Sequence, residues 1–243
     1  MKIVSFKICP FVQRVTALLE AKHVPYDIEY IDLSKKPAWF LEASPNGQVP
    51  ILVTDDDQVL FESDAIVEYL DETTGIPISA HDPVKKAQDR AWSYLASKHY
   101  LVQCSVQRST DEQTLEEGRA TLGTAFAKME ARIESRLGGG PYFNGDTLGM
   151  VDIAWLPLLH RAAIIERYTD FDFLGAFPKV KRWQEAVLAT GIAEKSVAED
   201  FESRFTAFYL ADTTYLGQLT KKQSGTACCG PTECREEDLA CCA

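Results

Sequence analysis

The chain has 243 residues, 46% hydrophobic and 25% charged, with a formal net charge of −11 and a pI near 4.9. That length holds one large or two modest domains with a real core, and the acidic balance excludes the basic surface that nucleic acid or an anionic membrane requires. No run approaches the ~18 apolar residues of a membrane span, and the few apolar residues between Lys2 and Lys7 are too short for a signal-peptide core, so the chain reads as cytoplasmic.

In chain order, Lys2-Ile3-Val4-Ser5-Phe6 predicts a buried strand, and Phe11, Val15, Leu18 and Leu19 recur at helical spacing in a helix ending near His23. Tyr26-Asp27-Ile28-Glu29-Tyr30-Ile31 alternates apolar and acidic residues, as a half-buried strand does. A connector through Lys35-Lys36-Pro37-Ala38-Trp39-Phe40 leads to the turn Ser44-Pro45-Asn46-Gly47, then to Gln48-Val49-Pro50 at the mouth of the strand Ile51-Leu52-Val53. The acidic turn Asp55-Asp56-Asp57 joins that strand to Val59-Leu60-Phe61 as an antiparallel hairpin, and Glu62-Ser63-Asp64 caps a helix carrying Ile66, Val67, Tyr69 and Leu70. The order β-α-β, connector, β-β-α, with a cysteine after the first strand and a proline before the third, is a thioredoxin-like layout.

Strand signals stop after the loop from Gly75-Ile76-Pro77 to Asp82-Pro83. Helical periodicity predicts helices over 85–102, 115–137 and 151–167, another from Phe177-Pro178 through Val187, and a last one over 198–210. The expected organisation is an α/β domain over 1–77, an all-α domain over 84–212 and a Cys-rich tail over 213–243. Five of the seven cysteines fall in the last sixteen residues, so no disulfide framework is expected in the body.

Cys9 is the residue with chemistry in it. Pro10 suits the first turn of a helix, where its missing N–H would be unpaired anyway, and this leaves Cys9 on the N-cap side. Unpaired N–H groups and the positive dipole end favour thiolate over thiol, lowering a pKa that is ordinarily ~8.5. A small buried core residue is the competing reading, because unpaired cysteine is among the most buried types.

A thioredoxin-like half followed by a helical half resembles the cytosolic glutathione transferases, and within them the cysteine-type, omega-like branch. The resemblance spans about residues 1 to 210. It rests on Cys9-Pro10-Phe11, Lys36-Pro37-Ala38-Trp39-Phe40, Gln48-Val49-Pro50 and Phe61-Glu62-Ser63-Asp64-Ala65-Ile66, in the family's order. It implies glutathione as co-substrate and no obligate metal, with Cys9 catalytic and Pro10, Phe11, Lys36, Val49, Pro50, Glu62 and Ser63 binding the tripeptide. It also implies a cis Val49–Pro50 bond, a state of only about 5% of X–Pro bonds, that presents Val49's backbone to the ligand. Ser63 at a helix start would receive the γ-glutamyl carboxylate, Glu62 its ammonium, and Lys36 the glycyl carboxylate; a simple N-cap at Glu62-Ser63 and an ordinary surface lysine are the plainer alternatives. Asp152 falls where the family places a helix-capping aspartate, although Gly149 stands where serine or threonine is usual. Trp155 and His160 on that helix read as core, and Trp92, Tyr94 and Tyr100 as wall residues of an electrophile pocket.

Cysteine in that place, in contrast to a hydroxyl, forms a mixed disulfide with glutathione, and Val12 three residues on rules out a CxxC pair. The expected function is therefore a thiol transferase or reductase on a small-molecule substrate, against the alternative of a non-enzymatic binder that reuses the fold. The resemblance also implies a homodimer, for which residues 85–137 offer long amphipathic faces. In the tail, Cys228, Cys229 and Cys234 suit a soft metal or metalloid, against the alternative of a plain oxidisable segment.

Overall fold

The computed structural model describes residues 1–135 and 139–220. Ile3 and Val4 are fully buried because their strand, β1 (Lys2–Ser5), lies inside a four-stranded sheet of order β2-β1-β3-β4. It pairs parallel with β2 (Asp27–Tyr30) and antiparallel with β3 (Ile51–Val53). The hairpin partner β4 (Val59–Phe61) sets Leu52 opposite Leu60, and Asp57 takes the left-handed conformation (φ +60°) that closes the turn.

Between β1 and β2 runs α1 (Pro10–Ala21), and α2 (Ala38–Ala43) and α3 (Ser63–Thr73) complete this half. The connector read from the sequence thus contains a helix, a single short turn-and-a-half behind Pro37 that offers too few residues for periodicity to register. The strand over 26–31 also differs from its expected half-burial: β2 is the sheet edge, and Ile28 and Tyr30 are each 36% exposed. Lys2 pairs with Glu29 at 2.8 Å and the Lys7 ammonium sits 5.4 Å from the Tyr30 ring centre, so long cations shield what no helix covers.

Among the described residues, the second half has only helices as its named elements. It comprises α4 (Pro83–Gln107), α5 (Glu112–Ser135), α6 (Met150–Thr169), α7 (Pro178–Leu188), α8 (Ile192–Lys195), α9 (Phe201–Tyr209) and α10 (Tyr215–Gln218). The apolar α6 is buried on nearly every side, against α4, α7 and, across the two halves, α1. Trp155 is fully buried among Phe126 and Trp183, as its reading as core required. Because α1 lies between the sheet and α6, its polar residues are buried too, and each is satisfied: Thr16 donates to the Ser196 carbonyl at 2.6 Å, Gln13 donates to His160, and Arg14 pairs with Asp64.

The start of α6 shows what Asp152 does. Gly149 has no side chain to complete a capping box, yet the Asp152 carboxylate accepts from the Gly149 N–H at 2.8 Å, the Phe143 N–H at 2.8 Å and the Trp183 indole at 2.6 Å. Burial pushes its carboxyl above the usual range against the pull of these donors. The missing half-box is replaced by contacts from α7 and from the loop before α6.

Candidate active site

A cleft of about 450 Å³ opens where α1 begins, with the β3–β4 side of the sheet facing it. Cys9 occupies the N-cap of α1 in extended backbone (φ −73°, ψ 123°), Pro10 is the first helical residue, and no acidic residue stands in the first turn. The cysteine is 3% exposed and lines the cleft. Its N–H donates to the Phe6 carbonyl at 3.1 Å and its carbonyl accepts from Gln13 N–H at 3.1 Å, which fixes the turn on both sides.

Opposite it, the Val49–Pro50 peptide is cis. Among the described residues, neither the N–H nor the C=O of Val49 takes part in a backbone hydrogen bond. The turn before it holds itself: Ser44 Oγ accepts from Gln48 N–H at 3.1 Å and donates to the Gln48 carbonyl at 3.0 Å, while Gly47 supplies the positive φ (+58°) that the turn needs.

Glu62 enters α3 with φ +66° and ψ 115°, a region rarely populated by residues other than glycine and costing ~1–3 kcal/mol. It gives no side-chain cap; its carboxylate instead accepts from Asn46 Nδ2 at 2.9 Å. The conformation aims the chain so that Ser63, the first helical residue and 5% exposed, borders the cleft at a helix N-terminus. Lys36 completes the rim, its ammonium beside Gly47, and none of the ion pairs among the described residues involves it.

The fold therefore gathers Cys9, Phe11, Lys36, Val49, Pro50, Glu62 and Ser63 around one cavity. Pro10 is buried at the start of α1 and does not line it. Asn46 lines the cavity unannounced; Ser44-Pro45-Asn46-Gly47 is read from sequence only as a turn, and its position directly before Gln48-Val49-Pro50 was the available signal.

Residues 8–73 match the glutathione S-transferase N-terminal domain, and residues 112–186 match the glutathione S-transferase C-terminal domain. The chain belongs to the glutathione S-transferase family. Glutathione S-transferase omega-1 of Sus scrofa is 30% identical over 77% of this chain and 76% of that protein. Pyrimidodiazepine synthase of Drosophila melanogaster is 32% identical over 76% and 75%, and glutathione S-transferase DHAR3, chloroplastic, of Arabidopsis thaliana is 30% identical over 74% and 66%. Among solved structures, a Tau class glutathione S-transferase from mango superposes with a TM-score of 0.72 at 25% identity over 85% of this chain and 96% of that one. Glutathione transferase Omega 3C from Trametes versicolor gives a TM-score of 0.69 at 22% identity over 82% and 89%.

In this glutathione S-transferase the described helical half contributes Leu101 of α4 to the cleft. Trp92, Tyr94 and Tyr100, expected to wall an electrophile pocket, do not line this cleft. Tyr100 is buried edge-on against Phe11, with its hydroxyl donating to the Ala154 carbonyl; the Trp92 carbonyl receives the Trp155 indole; and Tyr94 donates to Glu68 at 3.3 Å. Helical periodicity marked an apolar face without marking which end of it meets the sheet. No group of three or more His, Cys, Asp or Glu able to hold a metal occurs among the described residues, and Cys228, Cys229 and Cys234 lie outside them. No helix among the described residues is long and apolar enough to cross a membrane.

Proposed function

We propose that the chain is a glutathione-dependent thiol transferase or reductase of the cysteine type, with Cys9 as nucleophile. The observation that carries the reading is Cys9 at the start of α1 with no side-chain capping bond, inside a cleft also lined by Val49, whose N–H and C=O make no backbone hydrogen bond among the described residues. Relatives named omega-1 and DHAR support it.

Each part of the tripeptide has a counterpart in the cleft. Val49's backbone pairs with the cysteinyl unit as an added strand would. The α3 N-terminus with Ser63 receives the γ-glutamyl carboxylate and Glu62 faces the ammonium, while Lys36 receives the glycyl carboxylate. In the reaction, the Cys9 thiolate attacks the glutathione sulfur of a glutathionylated substrate. A Cys9–glutathione disulfide forms, the old S–S bond breaks, and the substrate sulfur leaves as thiolate and takes up a proton. A second glutathione thiolate then attacks the mixed disulfide, oxidised glutathione departs, and Cys9 returns as thiolate. A small oxidant of the dehydroascorbate kind carries no S–S bond, so there the Cys9 thiolate adds to a carbonyl carbon. A first glutathione thiolate attacks the Cys9 sulfur, and the C–S bond breaks with its electron pair going to the product, which takes up protons. A second glutathione resolves the mixed disulfide, the two glutathiones supplying the two electrons.

The working form is a homodimer in this reading, supported by the exposed apolar residues Phe61 and Tyr69 in one half and Tyr94 in the other. Treatment of the protein with oxidised glutathione tests the central step. The tryptic peptide spanning residues 8–14 should gain one glutathionyl group; an unmodified peptide contradicts the reading.

A further inference from the structure

Arg161 on α6 is completely buried, yet among the described residues its guanidinium meets no carboxylate. Its Nη2 donates to the Ile8 carbonyl at 3.0 Å; Nη1 donates to the Pro157 carbonyl at 3.1 Å and to Gln13 Oε1. Among the described residues Nε has no hydrogen-bond partner. The Ile8 carbonyl belongs to the peptide whose nitrogen is that of Cys9, so this cation is bonded to the turn that carries the site thiol.

A charge removed from water is costly unless it is compensated, and around Arg161 carbonyl oxygens, an amide oxygen and the Phe201 ring, 5.3 Å from its guanidinium, stand where a carboxylate would cancel it. Burial, followed by the charges of Arg161 and Arg167, lowers His160 to about 3, so His160 is neutral and its Nδ1 accepts from Gln13 Nε2 at 2.9 Å. That bond fixes the Gln13 amide with its oxygen toward Arg161. Residue 13 thus offers a neutral acceptor where a glutamate of the same size would cancel the charge.

We propose that Arg161 is a positioning residue for Cys9, holding the Ile8–Cys9 peptide and supplying an uncancelled positive charge that favours the thiolate; this rests on Cys9 being the nucleophile. The other charged and titratable groups around the turn are cancelled, neutral or at the solvent side. Arg14 of α1 is paired with Asp64 of α3, and Lys7 is paired with Asp200 at 2.7 Å. Tyr100 of α4 is kept neutral by burial, and Lys36 and Glu62 stand on the cleft rim.

The test is the pH dependence of iodoacetamide alkylation of Cys9 in the full chain, followed on the peptide spanning residues 8–14, with thermal unfolding measured alongside. The wild-type midpoint should lie below the ~8.5 of a free thiol. Arg161→Met should raise it by about one unit, a tenfold loss of reactivity at pH below the midpoint, and Arg161→Lys should restore part of that. Arg161→Lys keeps a cation but not the fork that holds the Ile8 carbonyl and Gln13, so its midpoint should return toward the wild-type value even where its melting temperature stays lowered; a purely structural Arg161 would leave the lysine and methionine variants with the same midpoint. An undepressed wild-type midpoint contradicts the reading of Cys9 and the inference with it. A depressed midpoint that Arg161→Met leaves unchanged, or that Arg161→Lys does not restore in part, overturns the inference alone.

Discussion

The helices α1 and α6 begin alike and are used differently. Both have an N-cap residue in extended backbone that makes no side-chain capping bond. At α6 an aspartate in the first turn gathers three N–H donors from three directions and is itself sealed from solvent. At α1 there is no acid in the first turn, a proline removes one donor, and the dipole end points into an open cleft with a cysteine on it. One helix start is spent on stability, the other left available for a ligand and a thiolate.

The largest effect expected on the stability side is at Asp152. Asp152→Ala strands three N–H donors in the core and should lower unfolding stability by on the order of 3–5 kcal/mol, read as a large drop in denaturation midpoint. The molecules that remain folded should transfer thiols normally. A variant of near wild-type stability would break the comparison.

A pH effect follows from His160, which is also sealed beneath α1. Its folded pKa of about 3 lies below the unfolded ~6.5, so the unfolded chain binds the extra proton first. Its contribution is complete above pH 6.5 and is lost as pH falls from there toward 3, amounting to ~2–3 kcal/mol by pH 4.5 at 1.36 kcal/mol per unit. His160→Gln should flatten that part of the stability–pH curve, measured by denaturant unfolding at several pH values. An unchanged slope contradicts the burial of a neutral imidazole.

At the open end the effects are smaller and fall on binding. Lys36→Ala should weaken glutathione about tenfold, more at low salt than at high, with no change in melting temperature. Glu62→Ala should weaken glutathione too and leave the strained φ in place, whereas Glu62→Gly should weaken it equally while being more stable than the alanine variant by ~1 kcal/mol. Equal stability of the two would remove strain from the account of that turn.

The contrast between the two helix starts also explains how much was legible in the sequence. The four strands, α1, α3 and the long helices α4 to α7 follow from local periodicity and from Pro10, Pro50, Pro83 and Pro178, which act within a few residues. The cleft's outline was legible because its motifs are short and contiguous. What escaped depends on groups far apart in the chain: Asn46 reaching Glu62, Trp183 reaching Asp152, and Arg161 reaching Ile8 across 153 positions. The exposure of Ile28 and Tyr30 escaped for a related reason, since alternation along β2 reports two faces and not whether a helix covers either one.

The most direct test of the central claim is turnover of a glutathionylated peptide by full-length wild-type and Cys9→Ser protein, with glutathione as reductant. Affinity in this account comes from Val49, Glu62, Ser63 and Lys36, none of which the change touches, and serine cannot form the mixed disulfide. Cys9→Ser should therefore retain its fold and glutathione binding while its turnover falls to that of uncatalysed exchange. A Cys9→Ser protein that deglutathionylates the peptide at the wild-type rate would contradict the account.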